Sequence, residues 1–243
     1  MSSIQRYKYP RTFHFHNSPN LQNDDRKVES YDGFYSDTYE PKQVIATLKM
    51  DGENTTMYRD HIHARSLDSA HHVSRTMVKQ IHGQIKHLIP ENMRICGENL
   101  QACHSIYYTG LPSFFTVFNI WEGDRCLSHE ETVMWVDEFR AQAGPVLSYV
   151  PLFYIGPFDI NEITKAFYSW YADHEGFVVR VIDSFDALDF STHTAKLVRK
   201  GHVQSTNHWM TETMLPNKLR IDQNEAIRCW ARSAGLEGTT KES

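Results

Sequence analysis

The order of its strand-like and helix-like segments limits what this chain can fold into more than any other feature. Runs rich in β-branched and aromatic residues occupy six stretches: residues 44–47, 55–58, 93–100, 114–123, 175–183 and 195–200. Helical segments interrupt these runs without the regular strand–helix–strand repeat that a parallel sheet requires. The sequence therefore predicts an α+β fold whose sheets are mainly antiparallel and whose helices flank them.

Three of the helical segments have recognisable ends or faces. The first, residues 74–90, repeats apolar residues at helical spacing until a proline ends it. The second begins at Ser128, which is predicted to form a capping box with Glu131, and ends at Gly144. The third is predicted to carry four apolar residues on one face: Ile163, Phe167, Trp170 and Tyr171.

The two ends of the chain differ from its middle. Residues 1–42 are polar and rich in turn-forming residues, which predicts an irregular lead-in with at most a short strand. After residue 200, Asp222 and Glu225 form a second capping-box pattern in front of a helical segment. We therefore expect one domain over residues 1–200 and a short helical appendage over residues 201–243.

Charge and cysteine content argue against some classes of protein. The formal net charge of −5 argues against a protein that coats nucleic acid through charge alone, although local basic patches remain compatible with it. The four cysteines contain no C-x-x-C pair, so the spacing of a zinc knuckle is absent. No apolar signal core and no long apolar run is present. These features favour a cytoplasmic protein with free thiols.

Lys49 stands next to the sharpest turn signal of the chain. It opens the motif K-x-D-G-x-N, in which Asp51 and Gly52 lie between two β-prone runs and Asn54 follows. Asp and Gly tolerate the positive φ of tight turns, so the motif predicts a β-hairpin with Lys49 at a fixed position beside it. Taken alone, the same letters also describe a surface lysine next to an ordinary hairpin.

Five further residues follow the Lys49 motif along the chain. Each of them alone has an ordinary structural explanation, as a core aromatic residue or as a charged residue at the end of a strand. Their joint order is far more specific than any single member. The five residues are Arg65, Glu98, Phe118, Glu175 and Lys196.

This order of motifs resembles that of the covalent nucleotidyltransferases, the superfamily of polynucleotide ligases and messenger-RNA capping enzymes. The resemblance covers residues 43–200. Asn54, where DNA ligases usually carry arginine, makes the chain most similar to ATP-dependent RNA ligases of the nick-sealing branch. The resemblance implies an ATP-grasp-like ligase adenylation domain, with ATP and Mg²⁺ or Mn²⁺ as cofactors. It also implies that the partner is RNA with 5′-phosphate and 3′-hydroxyl ends.

The resemblance implies a role for each charged residue. Lys49 would attack the α-phosphate of ATP to form lysyl-AMP; AMP would pass to the RNA 5′-phosphate, and the 3′-hydroxyl would then displace it. The attacking amine must be neutral, but with a free pKa near 10.4 only roughly one lysine in 2,500 is neutral at pH 7. A bound divalent ion and neighbouring cations would lower that pKa. Glu175 would hold the ion, and Lys196 would neutralise the α-phosphate as pyrophosphate leaves.

The remaining members of the set would bind the nucleotide. By the same resemblance, Arg65 would contact a phosphate or the donor end, Glu98 the ribose hydroxyl and Phe118 the adenine ring. The motif around the nucleophile completes the predicted nucleotide-binding set with three residues: Asp51, Gly52 and Asn54.

The sequence departs from the family pattern at two places. Leu48 stands directly before the nucleophile, where family members usually have an acidic residue that reads the adenine amino group. The choice of nucleotide therefore stays open. Val198 occupies the position two residues after Lys196, where a second lysine is common. Strand alternation makes Lys200 a better substitute than Arg199 for that lysine.

Three alternatives to a complete RNA ligase remain. A minimal DNA ligase or a capping guanylyltransferase would carry a similar order of motifs. A non-catalytic module that binds RNA ends would keep the fold without the reaction. The segment after residue 200 is too short for the separate oligonucleotide-binding domain that many ligases use to clamp their substrate, so a protein partner is a further expectation.

Two clusters outside the motif set have candidate functions. His61 and His63 would share one strand face, and His71 and His72 follow. A metal site is one interpretation, but surface or RNA-facing histidines fit better because no carboxylate and cysteine framework accompanies them. The run "KGHVQSTNHWM" (residues 200–210) either binds RNA through charge and stacking or docks the tail onto the domain.

Overall fold

The computed structural model describes residues 5–19, 21, 25–69, 72–202 and 214–220. Within these ranges the chain forms the predicted α+β fold, with mainly antiparallel sheets and few helices. No helix in the described ranges is long and apolar enough to cross a lipid bilayer. Several predicted features lie outside the described residues: the helix after Asp222, and His71, Asn207, His208 and Trp209.

Twelve strands lie in the described residues. In chain order they are β1 (Phe13–His14), β2 (Gln43–Lys49), β3 (Glu53–Met57), β4 (Ile62–Ala64), β5 (Met93–Asn99), β6 (Phe115–Glu122), β7 (Arg125–Cys126), β8 (Ser148–Tyr149), β9 (Leu152–Pro157), β10 (Gly176–Val181), β11 (Phe185–Asp186) and β12 (Thr194–Val198). Each of the six strand-like runs of the sequence coincides with one of these strands. Composition was a good guide here because β-branched and aromatic side chains pack well on a pleated surface.

The first sheet has five strands in the described residues, in the order β1-β12-β10-β2-β9. Its neighbouring strands are antiparallel except β1 and β12, which run parallel. The pairing of β2 with β10 runs from Val44 opposite Val181 to Lys49 opposite Gly176. Lys49 therefore lies at the end of an inner strand, directly across from the start of β10.

The second sheet has seven strands in the described part of the chain. Six of them follow the order β11-β7-β6-β5-β3-β4, and β8 adds to β6 in parallel. The register between β5 and β6 shifts by one residue. Cys96 lies opposite Asn119, but the next residue, Gly97, lies opposite Val117, so Phe118 has no partner in β5. Phe118 is therefore the extra residue of a β-bulge, a device that turns a side chain away from the regular alternation.

Four α-helices lie in the described residues: α1 (Thr76–Ile85), α2 (His129–Ala143), α3 (Ile160–Trp170) and α4 (Phe190–His193). The predicted capping box at the start of α2 is confirmed, because Ser128 and Glu131 each hydrogen-bond the backbone of the other. The predicted apolar face of α3 is only partly right. Ile163 and Phe167 are buried, but Trp170 is 81% exposed at the last position of the helix.

The apolar core has two clusters. The first joins buried residues of both sheets with the buried face of α3, and Leu48, Trp121 and Phe167 belong to it. The second joins the seven-stranded sheet with α1 and α2, and it includes Ile85 and Phe139. The two sheets therefore share one core cluster, whereas α1 and α2 cover the seven-stranded sheet through the other.

The predicted hairpin at Asp51 and Gly52 is wrong. β2 belongs to the five-stranded sheet and β3 to the seven-stranded sheet, so the turn leads the chain from one sheet to the other. Neither turn residue has a positive φ. Glycine is needed for another reason, since a Cβ on Gly52 would lie 2.5 Å from the carbonyl oxygen of Asn99 in β5. The turn passes so close to β5 that no side chain fits.

The predicted helical appendage is described at residues 201–202 and 214–220, and neither part is helical; residues 214–220 are extended and pack against the loop after β5. The amide of Asn217 donates hydrogen bonds to the carbonyl oxygens of Leu100 and Ala102, at 2.8 and 3.1 Å. Its side-chain oxygen accepts a hydrogen bond of 2.9 Å from the backbone of Tyr108. We refer to residues 214–220 as the strap, because they hold this loop against the domain.

Candidate active site

Lys49 and Glu175 form an ion pair at the junction of β2 and β10. The distance between Lys49 Nζ and Glu175 Oε1 is 2.6 Å. The pairing of Lys49 with Gly176 places Glu175, the residue before β10, at the same end of the sheet. The Glu175 side chain is 1% exposed, and its second oxygen, Oε2, is buried without a hydrogen-bond partner among the described residues.

The charges around Lys49 favour its ammonium form. Burial alone would lower the pKa of Lys49, but the nearby carboxylates of Glu175, Glu98 and Asp51 together raise it above its ordinary value. The lowered pKa that a nucleophilic amine needs is therefore not a property of these protein groups by themselves. The Lys49 amine would become a nucleophile only after it loses a carboxylate partner or gains a cationic neighbour.

Lys196 lies on the same face of the five-stranded sheet as Lys49. Val178 pairs with Lys196, and Gly176 pairs with Lys49, and residues two apart on a strand point to the same side. Burial and the charge of Lys49 lower the pKa of Lys196. A single hydrogen bond of 3.4 Å joins Lys196 Nζ to Asp25 Oδ1. Two amines of like charge therefore share one face, where they suit an anion between them.

His14 and Asp25 bring the N-terminal segment into the site. His14 is 1% exposed; its Nδ1 lies 2.8 Å from Ser18 Oγ, and its Nε2 lies 3.2 Å from Asp25 Oδ1. Burial and the charge of Lys196 lower the pKa of His14 to about 4, against the smaller opposing effect of Asp25. His14 is therefore a neutral buried histidine behind Lys196.

We expect acid to destabilise the protein partly through His14. Below pH 6.5 the unfolded chain binds a proton at this residue before the folded chain does, so stability falls as the pH drops from 6.5 towards 4. A shift of this size corresponds to roughly 3 kcal/mol. Urea unfolding at several pH values should show the wild-type protein losing about that much more stability than His14→Gln. If the free energy of unfolding falls equally with pH in the two proteins, His14 is not the group that causes the acid destabilisation.

Asp51 anchors the loop that follows β5. Its Oδ2 accepts hydrogen bonds from the Ser105 backbone and hydroxyl, both 2.7 Å, and from the Ile106 backbone, 2.9 Å. Its own backbone N–H donates to the Tyr108 hydroxyl at 3.0 Å. Asp51 therefore ties the turn after Lys49 to a loop that the strap holds from its other side.

Glu98 and Asn54 lie opposite each other on β5 and β3. Burial and the neighbouring carboxylates raise the pKa of Glu98 to about 8, although Lys49 opposes the shift. The raised pKa favours the protonated form of the Glu98 carboxyl, which can donate a hydrogen bond. The side-chain oxygen of Asn54 is buried without a hydrogen-bond partner among the described residues.

Phe118 is the bulged residue of β6 and is only half-buried. Tyr9 from the N-terminal segment meets it edge to face, with ring centroids 5.1 Å apart. The bulge and this contact fix the ring without burying it completely.

His202 lies beside Asp51 and Glu175. A ligand atom of each of the three residues lies within 4.8 Å of the others, and all three residues are buried. His202 Nε2 lies 3.6 Å from Glu175 Oε1 and 3.5 Å from Ser105 Oγ. The 200–210 run is described only at residues 200–202, where Lys200 and Gly201 are exposed and His202 is buried.

Comparison with known protein families shows which family the chain belongs to. The model of the RNA ligase family matches residues 42–198, which is more than half of the chain. The chain belongs to the RNA ligase family. The match contains the site residues from Lys49 to Lys196, whereas Asp25, His202 and the strap lie outside it.

Solved structures of RNA ligases are similar at low identity. The Naegleria gruberi RNA ligase with PPi has a TM-score of 0.49 and 20% identity over 68% of this chain and 52% of that chain. A mutant of that ligase with ATP and Mn has a TM-score of 0.48 and 17% identity over 72% and 53%. An archaeal ATP-dependent RNA ligase gives 0.47 and 17% over 79% and 48%. The chain thus spans about half the length of these solved RNA ligases. A search of curated proteins found no match.

Two predicted site residues of this RNA ligase family member, Arg65 and Lys200, make no side-chain hydrogen bond or ion pair with the described residues. Arg65 is half-buried just after the edge strand β4, and no hydrogen bond or ion pair joins it to the described residues. Lys200 is exposed in the turn after β12, so the strand alternation that favoured it ends too early to apply. The role of both residues in nucleotide binding stays a prediction.

Arg199 has a structural task instead. Its Nε donates a hydrogen bond of 2.6 Å to the carbonyl oxygen of His174, and its backbone N–H donates one of 3.0 Å to the carbonyl oxygen of Glu175. Arg199 therefore holds the segment that presents Glu175. Leu48, the residue that departs from the family pattern, is 3% exposed in the core on the opposite face of β2.

Within the histidine cluster near β4, His63 does not lie at the surface as the sequence favoured, whereas His61 is half-buried. His63 is 3% exposed, and its ring lies 5.8 Å from that of His61. Burial lowers the pKa of both rings. His72 instead caps a short helical turn by accepting a hydrogen bond from Ser74. Among the described residues, Asp51, Glu175 and His202 form the one group with metal-ligand spacing.

Several residues of the site escape motif reasoning because they contact it only in three dimensions. Glu53 stands inside the nucleophile motif, yet its bidentate ion pair with Arg75, one bond of which measures 2.7 Å, has no sequence signature. Asp25, Tyr108 and His202 are equally remote in sequence from the residues they contact. Burial of their polar side chains would have identified these residues, but a single sequence does not show which polar residues are buried.

Proposed function

We propose that this protein is an ATP-dependent RNA ligase that joins RNA 3′-hydroxyl and 5′-phosphate ends through a lysyl-AMP and an RNA-adenylate. The observation that carries the proposal is the position of Lys49. Its amine is held 2.6 Å from the buried carboxylate of Glu175, on the face that also presents Lys196, inside the region that matches the RNA ligase family.

In the first step, Lys49 Nζ forms a bond to the α-phosphorus of ATP, and the bond to the bridging oxygen of the β-phosphate breaks, releasing pyrophosphate. The ammonium must lose a proton first, and Glu175 Oε1, which accepts its hydrogen bond, is positioned to take that proton. Lys196 balances negative charge on the α-phosphate as it develops. Its link to Asp25, at 3.4 Å, is long enough to yield to a phosphate.

The residues present fit the divalent ion that the family implies. Glu175 Oε2 is a buried carboxylate oxygen without a hydrogen-bond partner among the described residues, and Asp51 adds a second carboxylate nearby. Oxygen ligands of this kind suit Mg²⁺ and Mn²⁺. When bound, the ion supplies positive charge that balances the phosphates and disfavours the ammonium form of Lys49.

The seven-stranded sheet supplies the groups for the nucleoside. Protonated Glu98 can donate to a ribose oxygen, and the half-buried ring of Phe118 offers a stacking surface for adenine. Gly52 lets the turn after Lys49 pass close to β5 and Glu98, and Asn54 has an oxygen available for a donor. Arg65 and Lys200 are assigned to phosphate or RNA contacts at the rim.

In the second and third steps, AMP passes from Lys49 to the RNA 5′-phosphate, and the RNA 3′-hydroxyl then attacks that phosphate and releases AMP. The phosphoramidate bond breaks as the RNA-adenylate forms, which returns Lys49 to its free amine. We further propose a cytoplasmic setting and a protein partner that clamps the RNA.

The test of the proposal follows the label of α-labelled ATP. The protein is incubated with ATP and Mg²⁺ or Mn²⁺, denatured and separated, and the expected result is label on the polypeptide. The labelled enzyme is then chased with 5′-phosphorylated RNA or DNA, nicked or single-stranded, and label should move to RNA and end in a phosphodiester. The absence of polypeptide label from ATP, or label from GTP alone, would overturn the proposal. Transfer to DNA in preference to RNA would make the protein a DNA ligase.

A further inference from the structure

We propose that His202 is a direct ligand of the divalent ion in this site, and that it gives the site a preference for transition-metal ions over Mg²⁺. His202 lies outside the region that matches the RNA ligase family. The proposal rests on the proposed function only in placing an ion at Glu175. The geometry of the three residues Asp51, Glu175 and His202 carries the rest.

The backbone after β12 aims His202 into the site. The chain leaves β12 at Val198 and turns back through Gly201, which has a φ of 78°. The His202 backbone N–H donates to the Arg199 carbonyl oxygen across this turn, at 3.4 Å. Because Arg199 also binds the segment that presents Glu175, one short turn holds the histidine and the carboxylate next to each other.

The three side chains bring two carboxylates and one imidazole next to the ion pair of Lys49 and Glu175. Lys49 occupies Oε1 of Glu175, whereas Oε2 is buried without a described hydrogen-bond partner. Asp51 uses Oδ2 for its three contacts with the loop after β5. An ion held by a carboxylate oxygen of Glu175, a carboxylate oxygen of Asp51 and the His202 ring therefore meets two carboxylates and one imidazole, so that its charge is matched by two negative charges.

An imidazole changes which ions such a site prefers. Mg²⁺ takes oxygen ligands in near-ideal octahedral geometry and dehydrates reluctantly. Imidazole nitrogen suits first-row transition ions, whose affinity rises along the series from Mn²⁺ to Cu²⁺. A site with two carboxylates and no imidazole would bind Mg²⁺ and Mn²⁺ with similar affinities. His202 would therefore raise the affinity for Mn²⁺ and heavier ions and leave that for Mg²⁺ nearly unchanged.

The experiment measures Mn²⁺ binding to the full-length protein without ATP. Free Mn²⁺ is followed by its electron paramagnetic resonance signal, and Mg²⁺ binding is measured by displacement of Mn²⁺. We expect His202→Ala to weaken Mn²⁺ binding by at least roughly tenfold and to change Mg²⁺ binding by less than about threefold. His87→Ala, at an exposed histidine in the turn after α1, is the matched control and should bind both ions as the wild type does.

A spectroscopic readout on the wild-type protein keeps the test independent of the folding of any variant. Pulsed electron paramagnetic resonance should detect ¹⁴N coupling from an imidazole bound to Mn²⁺, and the coupling should disappear in His202→Gln. Bound Mn²⁺ without ¹⁴N coupling, or equal loss of Mn²⁺ and Mg²⁺ in His202→Ala, would overturn the proposal. Nucleotide labelling does not enter this measurement, so failure of the ligase assay and failure of His202 as a ligand are separate outcomes.

Discussion

Replacing Lys49 with arginine is expected to abolish transfer of AMP to the polypeptide while leaving the protein folded. Arginine keeps the positive charge that pairs with buried Glu175, so the substitution avoids an uncompensated buried carboxylate. The guanidinium has a pKa more than two units above that of lysine, which lowers the neutral fraction by roughly a hundredfold or more. Label from α-labelled ATP should therefore fall at least that far below the wild-type level.

Two further variants separate the role of Lys49 in the reaction from its role in the ion pair. Lys86→Arg changes an exposed lysine after α1 and should label like the wild type. Lys49→Ala should also lose the label, but it strands the Glu175 carboxylate and should lower the unfolding midpoint as well. Full labelling of Lys49→Arg would remove Lys49 as the nucleophile, whatever the behaviour of the alanine variant.

Replacing Asn217 with alanine is expected to destabilise the protein by roughly 2–4 kcal/mol. Asn217 is 3% exposed, and its side chain makes three hydrogen bonds to the loop after β5, with Leu100, Ala102 and Tyr108. A buried polar group left without its partner costs about 1–3 kcal/mol. Urea unfolding monitored by fluorescence gives the difference in free energy of unfolding directly.

The neighbouring residue Lys218 provides the control for Asn217. Lys218 is exposed, and only its backbone contributes hydrogen bonds to the strap. Its N–H donates to the Tyr108 carbonyl oxygen at 2.8 Å, and its carbonyl oxygen accepts from the Leu111 N–H at 3.0 Å. Lys218→Ala keeps those bonds, so its free energy of unfolding should stay within about 0.5 kcal/mol of the wild-type value. If Asn217→Ala falls within the same margin, the strap does not hold the loop that binds Asp51.

The elements with a strong local signal were the ones that the sequence predicted well. The six strand-like runs and the capping box of α2 follow from side chains that favour those conformations wherever the chain places them. The apolar face of α3 was overextended at Trp170 because periodicity does not say where a helix leaves its partner. The hairpin at Asp51 and Gly52 was wrong because turn residues fix a reversal of the chain but not which strands then pair.

The candidate site divides in a similar way. The order of motifs put Lys49, Glu175, Lys196 and Glu98 into one site, and the contacts and mutual charge effects among them place these four side chains together. The order of motifs did not include His202, which the turn at Gly201 brings to Glu175. Asp25 and the strap were missed for the same reason, since their contacts with the site join residues far apart in the chain.

The sequence by itself determined the class of fold, the K-x-D-G-x-N motif at Lys49 and membership of the RNA ligase family. These properties are local or ordered along the chain, so they can be seen without coordinates. Only the tertiary structure decided the protonation of the site and the ligands around it. The pKa values of Lys49 and Glu98 depend on which carboxylates burial brings within a few ångströms, and that distance is set by how the two sheets meet.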